Sequence, residues 1–189
     1  MSVLRKRHIQ LSDPAQLWRD GWAVLRARFH LRQSTRMGPR VRVWGRPAVR
    51  NRGRMIIGDR SRLMSTITPI ELAAGPKGTL EIGASVFINY GCSIAARQLV
   101  RIGDRCNIGT YVIMMDNDFH CLEPERRNEP APSAPIILEE NVWLGARVIV
   151  LRGVTIGAGS VIGAGSVVAE DIPPRSLAVG TPARVVRQL

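Results

Sequence analysis

Aliphatic residues recur at every sixth position through the C-terminal half of the chain. These positions are Leu138, Leu144, Val150, Ile156, Ile162 and Val168. A small residue follows several of them, as in Leu144-Gly145 and Ile156-Gly157. This spacing matches neither the period of about 3.6 residues of an α-helix nor the alternation of about two of a simple strand. It therefore indicates a repeated structural unit of six residues.

The same pattern recurs in the middle of the chain. Its positions there are Ile82, Ile88 and Ile94, and then, after two intervening residues, Ile102, Ile108 and Met114. An earlier trace is found at Ile57-Gly58, so that the repeats cover roughly residues 55–175. Each unit predicts a strand of about four residues and a corner of about two, with three units to a coil. Stacked coils would then bury a continuous aliphatic column.

Three segments of the sequence resemble those of a known family. The repeat units read IGASVF, IGTYVI, LGARVI and IGAGSV, and the run Asn141-Val142-Trp143-Leu144-Gly145 is similar to a family motif. The C-terminus, from Ile172-Pro173-Pro174 to Arg187, is similar to the family's terminal pattern. The chain resembles the hexapeptide-repeat (isoleucine patch) acyltransferases. Its motifs are closest to those of the galactoside and maltose O-acetyltransferases and the polysaccharide-biosynthesis acetyltransferases.

That resemblance implies a fold, an assembly and a reaction. The fold is an all-β, left-handed parallel β-helix, and the assembly is a homotrimer with active sites between subunits. The reaction is transfer of an acetyl group from acetyl-CoA, as co-substrate, to a hydroxyl of a sugar or glycan intermediate, with no metal. The resemblance is strong over residues 80–189, weak over 40–80 and absent before that, so it does not identify the acceptor.

The 189 residues divide into three predicted segments. Residues 1–40 form a basic, amphipathic helical segment, 41–175 form the β-helix, and 176–189 form a short capping tail. The predicted helix spans residues 13–32, where Asp13 can cap its start and Pro14 suits the first helical position. Its apolar side could pack on the β-helix or a neighbouring subunit, or could lie on an anionic membrane. The sequence favours packing.

The repeat fails between Met114 and Ile136, where a polar, proline-rich loop of about residues 116–135 is predicted to leave the coil. Loops extruded from repeat proteins often carry function. His120 lies near the start of this loop, where the resembled family has its catalytic histidine. A neutral imidazole has a suitable pKa for removing the proton of an acceptor hydroxyl. We therefore predict His120 as the general base.

Three neighbours of His120 have candidate roles. Asp118 could orient the imidazole or stabilise its charged form, as the carboxylate of a catalytic triad does. Asp118 could equally cap the loop, and Asp116 competes with it for the orienting role. Cys121 would permit a covalent acyl-cysteine intermediate. We favour direct transfer, because the resembled family is thought to transfer the acyl group directly.

Two further positions are assigned to substrate binding by the resemblance. Asn89 corresponds to an asparagine that faces the active site and could hydrogen-bond the acceptor or the thioester, although asparagine also suits a corner. Trp143 would be exposed at a coil edge unless a partner subunit or the CoA arm covered it.

The resemblance also assigns residues to CoA. Ala146 and Ala164 match positions whose backbone meets the pantetheine arm, and Arg184 and Arg187 match basic positions near the CoA phosphates. A guanidinium pairs well with phosphate oxygens. Sugar-acetylating relatives often have Thr-Lys where this chain has Ala169-Glu170. That difference should weaken phosphate binding there and leave more of it to the two arginines.

The formal net charge of +12 comes almost entirely from arginine. Compositional bias explains it as well as a polyanionic ligand does, and no nucleic-acid-binding signature is present. The three cysteines, at positions 92, 106 and 121, show neither a disulfide framework nor zinc spacing. No signal peptide or apolar run of transmembrane length is found. We expect a cytoplasmic protein, with peripheral membrane contact through residues 13–32 as a second possibility.

Two other functions are possible on the predicted fold. A carbonic anhydrase needs three histidine ligands for zinc, and only His120 lies within the coils, so this function is excluded. A non-catalytic β-helix scaffold or interaction protein remains as the alternative. The histidine, the loop and the arginine-bearing tail all favour the enzyme.

Overall fold

The structure is a computed structural model that describes residues 14–189. It contains one α-helix, α1 (Pro14–His30), followed by twenty short strands. The strands follow one another around three sheets, so that each strand pairs in parallel with the strand three positions later along most of the chain. This arrangement is a parallel β-helix, and the predicted fold class is confirmed.

Each sheet forms one side of the coil. Sheet 1 contains β1 (Arg36–Met37), β4 (Arg54–Ile57), β7 (Thr79–Ile82), β10 (Leu99–Ile102), β13 (Ile136–Leu138) and β16 (Thr155–Ile156). Sheet 2 contains β2 (Arg42–Gly45), β5 (Arg62–Ser65), β8 (Phe87–Ile88), β11 (Asn107–Ile108), β14 (Trp143–Leu144), β17 (Val161–Ile162), β19 (Ser176–Gly180) and β20 (Ala183–Gln188). Sheet 3 contains β3 (Ala48–Asn51), β6 (Glu71–Ala74), β9 (Ser93–Ala96), β12 (Ile113–Met115), β15 (Ile149–Val150) and β18 (Val167–Val168).

The six-residue repeat produces the core directly. The aliphatic residue of each unit is buried and lies beside its equivalent in the next coil. In sheet 2 this column is Leu63, Ile88, Ile108, Leu144 and Ile162. All five are fully buried. Burying a side chain of this size is worth about 1.5–3 kcal/mol, so these columns are a principal source of stability.

The coil begins earlier than the repeat in the sequence suggests. The recognisable repeat starts near residue 55, but β1 already pairs with β4 and β2 with β5. The first strand therefore begins at Arg36, upstream of the predicted boundary at residue 41. Val43 stacks on Leu63 and continues the column. Met37-Gly38 lies in register with Ile57-Gly58, so the first coil carries the same unit with methionine at the aliphatic position.

The two ends of the coil are covered differently. At the N-terminal end α1 packs against β2, and it begins at Pro14, while the predicted cap Asp13 lies outside the described residues. At the C-terminal end β19 adds in parallel to β17, and β20 then runs back antiparallel to β19. The predicted tail of residues 176–189 is thus a hairpin that completes sheet 2.

Candidate active site

The loop that carries His120 leaves the coil after β12 and returns to it at β13. It spans residues 116–135 and contains one short 3-10 turn, Pro124–Arg126. Ala134 N–H donates to the Asp116 carbonyl oxygen at 3.0 Å, and Asp118 N–H donates to that of Pro132 at 3.3 Å. These hydrogen bonds join the two arms of the loop at its base.

The imidazole of His120 is held by the backbone of the same loop. Its Nδ1 lies 3.0 Å from the carbonyl oxygen of Arg127. A carbonyl oxygen can only accept, so Nδ1 must carry the hydrogen in this contact. In the neutral ring Nε2 then has the free electron pair, which is the state a general base requires. The backbone N–H of His120 donates to the Asp118 carbonyl oxygen at 2.7 Å.

An open pocket of about 520 Å³ surrounds the histidine. One wall is sheet 3, through Ile113 of β12 and Ile149 of β15, and the other wall is the loop. Arg152 lines the pocket beside Leu151. The pocket thus combines an apolar floor with the imidazole of His120 and two arginines, Arg127 and Arg152.

The carboxylate of Asp118 binds an arginine instead of the imidazole. Arg152 Nε donates to Asp118 Oδ2 at 2.6 Å, and both side chains are about one-third exposed. The predicted orientation of His120 by this carboxylate is therefore not present in the structure. Arg127 supplies the contact to Nδ1 through its main chain. The ion pair instead ties the loop to the corner that follows β15.

Asp116 has a structural role. Its side chain is fully buried. Its two oxygens accept the backbone N–H groups of Arg97, Gln98 and Leu99, each at 2.7 Å. A carboxylate that accepts three such bonds is committed to shaping the turn between β9 and β10. Asp116 therefore does not compete with Asp118 for the histidine.

The cysteines provide no activated nucleophile in the geometry observed. Cys121 lines the histidine pocket, but its Sγ lies 3.8 Å from the carbonyl oxygen of Pro130. Cys92 and Cys106 are in the core, where burial raises the pKa of each thiol to about 11. Thiols with such pKa values stay protonated at neutral pH.

Asn89 and Trp143 share a second pocket, on a different face of the coil. This pocket has a volume of about 540 Å³ and lies over sheet 2, between Phe87 and Val161. Asn89 Oδ1 accepts the N–H of Tyr90 at 2.9 Å, so its Nδ2 is the group that can donate to a ligand. Trp143 is 55% exposed in the single chain.

The residues assigned to CoA lie along the C-terminal part of sheet 2. Ala146 and Ala164 follow β14 and β17 at the same corner, one coil apart, and the Ala146 carbonyl oxygen accepts Gly165 N–H at 2.8 Å. Arg184 and Arg187 both belong to β20. These four positions therefore lie on, or directly after, the C-terminal strands of sheet 2.

Glu170 changes the charge available at this end. Arg184 Nη2 lies 3.2 Å from Glu170 Oε1, so the two side chains form an exposed ion pair. Glu170, which stands where sugar-acetylating relatives often have lysine, thus pairs with one of the two arginines that are predicted to bind phosphate. Arg187 lies opposite Leu177, on the outer strand of the hairpin.

The single chain does not bring all the predicted site residues together. His120 and Asp118 lie on the sheet 3 side, whereas Asn89 and Trp143 lie on sheet 2. Sequence reasoning also missed Arg127 and Arg152. Arg127 acts through its carbonyl oxygen, which leaves no trace in the residue type. Arg152 could have been noticed as a charged residue at the corner of the coil that follows the loop.

Two other features of residues 14–189 bear on function. No group of three or more His, Cys, Asp or Glu side chains within this range is arranged to hold a metal ion. Within the same range, α1 is too short and too polar to cross a lipid bilayer.

Comparison with known sequences gives matches confined to part of the chain. Residues 135–170 match the family described as "Bacterial transferase hexapeptide (six repeats)". The galactoside O-acetyltransferase of Escherichia coli (strain K12) is 39% identical over 110 residues, which are 58% of this chain and 54% of that protein. The chain thus spans about half the length of the curated relatives it matches.

Solved structures match over a larger share of the chain. The hexapeptide-repeat-containing acetyltransferase from Vibrio cholerae O1 biovar eltor, complexed with acetyl coenzyme A, superposes with a TM-score of 0.64 and 27% identity over 95% of this chain and 91% of that one. An N-acyltransferase from Bacillus cereus, in complex with dTDP and 3-hydroxybutyryl-CoA, has a TM-score of 0.69 over 86% and 87% of the two chains. At 21% identity the second similarity shows the fold alone. The phased repeat, the three stacked sheets and these matches together show that residues 135–170 are hexapeptide repeats of the bacterial transferase kind and that the chain shares its fold with a hexapeptide-repeat-containing acetyltransferase.

Proposed function

We propose that the protein is a CoA-dependent O-acetyltransferase that moves an acetyl group from acetyl-CoA to a hydroxyl of a sugar or glycan intermediate. His120 is the general base. The observation that carries this proposal is the hydrogen bond between His120 Nδ1 and the Arg127 carbonyl oxygen. It fixes the tautomer that leaves Nε2 able to accept a proton, in a pocket open to a substrate.

The chemistry follows from that tautomer. Nε2 accepts the proton of the acceptor hydroxyl while the hydroxyl oxygen forms a bond to the thioester carbonyl carbon. The carbon–sulfur bond then breaks, and the sulfur of CoA takes the proton from the imidazolium. The Arg127 carbonyl oxygen stabilises the imidazolium between these steps, because it continues to accept from Nδ1–H. Asp118 supports the loop through Arg152 rather than touching the ring, which makes it a positioning residue.

The complete site is proposed to form between subunits of a homotrimer. In one chain the His120 pocket and the Asn89–Trp143 pocket lie on different sheets. A threefold axis parallel to the coil would place sheet 2 of one subunit beside the loop of the next. Trp143 would then be covered, and Asn89 Nδ2 would point toward the substrate bound at the neighbouring histidine. A cyclic trimer repeats this contact three times.

The donor is proposed to lie along the C-terminal end of this contact. Ala146 and Ala164 would present backbone groups to the pantetheine arm, and Arg184 and Arg187 would bind CoA phosphates. The galactoside O-acetyltransferase relative and the Vibrio cholerae structure with acetyl coenzyme A support acetyl-CoA as the donor. Because Glu170 already pairs with Arg184, phosphate binding here depends more on Arg187.

The proposal is tested by measuring thiol release. The full chain is mixed with acetyl-CoA and a panel of soluble hydroxyl acceptors, and acceptor-dependent release of CoA is followed. His120→Ala is expected to lower the turnover number at least about a hundredfold, because the general base is removed. The matched control is His30→Ala, which removes an imidazole from α1, far from the loop along the chain, and should leave the turnover number unchanged.

Two results would contradict the proposal in different ways. If the activity of His120→Ala lies within a few-fold of that of the unaltered chain, His120 is not the general base, although the protein remains an acetyltransferase. No acceptor-dependent thiol release with any acceptor, together with no binding of acetyl-CoA, would favour the non-catalytic scaffold. Binding of acetyl-CoA is therefore measured separately, by calorimetry.

A further inference from the structure

The helix α1 packs on the coil with only one of its faces, and that face consists of small residues. Ala23, Ala27 and Leu31, which follows the helix, are buried against the first coil. Two polar contacts fix the orientation. Arg42 Nη1 lies 2.7 Å from Asp20 Oδ2, and Arg26 Nη2 donates to the Gly45 carbonyl oxygen at 2.9 Å. The helix is therefore attached to the β-helix without using its large apolar side chains.

Those large side chains form an exposed row, here called the aromatic stripe. It consists of Trp18, Trp22, Leu25 and Phe29, with exposed fractions of 82%, 63%, 54% and 64%. Their spacing of four, three and four residues places them on one side of the helix. Trp18, Trp22 and Leu25 line a shallow groove with Gly21 between them. Contiguous exposed apolar surface of this kind marks an interaction site.

Arginine side chains surround the aromatic stripe. Within α1 they are Arg19, Arg26 and Arg28. The guanidinium of Arg32 lies 4.9 Å from the centre of the Phe29 ring. Arg46 adds to this positive charge, and with Arg26 and Arg32 it lowers the pKa of His30, after the larger effect of burial. The one acidic residue of α1, Asp20, is neutralised by Arg42.

We propose that the aromatic stripe binds an anionic phospholipid bilayer, with α1 lying in the plane of the surface. Indole rings partition to the boundary between headgroups and acyl chains, and guanidinium groups pair with lipid phosphates. A second copy of this chain is a poorer occupant. It would bring the same cluster of arginines to the same surface, and like charges repel. The positive charge of the arginines around the aromatic stripe thus favours an anionic partner.

The site does not depend on the acetyl-transfer chemistry, so the two proposals fail separately. Binding is measured by sedimentation of the full chain with sucrose-loaded vesicles. Vesicles of phosphatidylcholine with one-third phosphatidylglycerol are compared with phosphatidylcholine alone. The partition coefficient is expected to be at least about tenfold higher on the anionic vesicles, because several arginines contribute near the surface. Raising the salt concentration should lower it.

Substitutions distinguish binding through the aromatic stripe from binding through any exposed apolar side chain. Trp22→Glu and Leu25→Glu should each lower binding to the anionic vesicles at least about tenfold, because a carboxylate would enter the apolar layer and face lipid phosphates. The matched control is Ile67→Glu, since Ile67 is 72% exposed but lies in the turn between β5 and β6. It should bind as the unaltered chain does. Circular dichroism and thermal unfolding confirm that each variant is folded.

Either of two outcomes would overturn the proposal. One is sedimentation that is equal with the two vesicle types, or equal for Leu25→Glu and Ile67→Glu. The other is a Leu25→Glu variant whose assembled mass falls in analytical ultracentrifugation while the unaltered chain shows no vesicle binding. That second outcome would assign the stripe to a contact between copies of the chain.

Discussion

At the scale of single residues, two aspartates two positions apart have separate roles. The Asp116 carboxylate is buried and accepts three backbone N–H groups, whereas the Asp118 carboxylate is partly exposed and pairs with Arg152. The first shapes the turn between β9 and β10, in the coil next to the start of the loop. The second holds the loop against the coil beside the histidine.

This difference predicts that the two aspartates contribute unequally to the free energy of unfolding. Asp116→Ala should lower the free energy of unfolding by at least about 3 kcal/mol, because several charge-assisted hydrogen bonds are lost together. Asp118→Ala should cost less than about 1 kcal/mol, as exposed ion pairs do. Chemical denaturation measures both. A large loss of stability in Asp118→Ala would contradict the assignment of the two roles.

The same comparison shows what the sequence could tell about the site. It could identify His120, because a histidine at the start of an extruded loop is visible in the order of residues. It could not rank Asp116 against Asp118. That choice depends on contacts with Arg97 and with Arg152, which are distant along the chain.

At the scale of elements, the corner after each sheet 1 strand requires close approach between coils. Gly58 follows β4, and its N–H donates to the Ile82 carbonyl oxygen at 2.7 Å. A Cβ at Gly58 would lie 2.3 Å from the carbonyl carbon of Gly83. This is why small residues follow the aliphatic position in the repeat.

The corner therefore predicts a contrast between two glycine substitutions. Gly58→Ala should lower the free energy of unfolding by about 1–3 kcal/mol, because the coils must move apart. Gly21→Ala should be neutral or stabilising by up to about 1 kcal/mol, because alanine favours a helix and its Cβ meets no atom within 4 Å. Thermal unfolding of the two variants measures the difference. Equal effects would show that the corner can adjust.

The sequence predicted the coil well and the helix only in part. The coil depends on a buried column with a fixed period, so its pattern survives in the order of residues. The helix spans Pro14–His30, close to the predicted residues 13–32, but the large apolar side chains that were expected to pack are exposed. The buried face was not foreseen, because Ala23 and Ala27 are less apolar than Trp22 and Phe29. Small residues lie at this contact because they allow the helix to approach β2 closely.

At the scale of the whole molecule, the proposed site needs two chains. We expect the assembled protein to have three times the chain mass of 20.8 kDa in analytical ultracentrifugation. His120→Ala and Asn89→Ala should each be weakly active alone. Co-expression should restore activity, because some interfaces of a mixed trimer receive an unaltered histidine from one chain and an unaltered asparagine from the next.

Recovery of activity on co-expression distinguishes a site that two subunits share from a site within one chain. The control is co-expression of His120→Ala with Asp118→Ala, since both substitutions lie on the same loop. In this mixture every chain carries an altered loop, so no interface receives an unaltered one. Activity restored equally in both mixtures, or in neither, would argue against the assignment of Asn89 to the neighbouring subunit.

The hairpin of β19 and β20 has a consequence for solubility. A stack of parallel coils ends in unpaired backbone groups, and identical stacks can join end to end through them into fibres. In this chain β20 reverses direction, so the last backbone groups of sheet 2 no longer offer a parallel template. Arg184 and Arg187 place positive charge on that final strand. The segment proposed to bind CoA phosphates thus also terminates the polymer that the repeat would otherwise build.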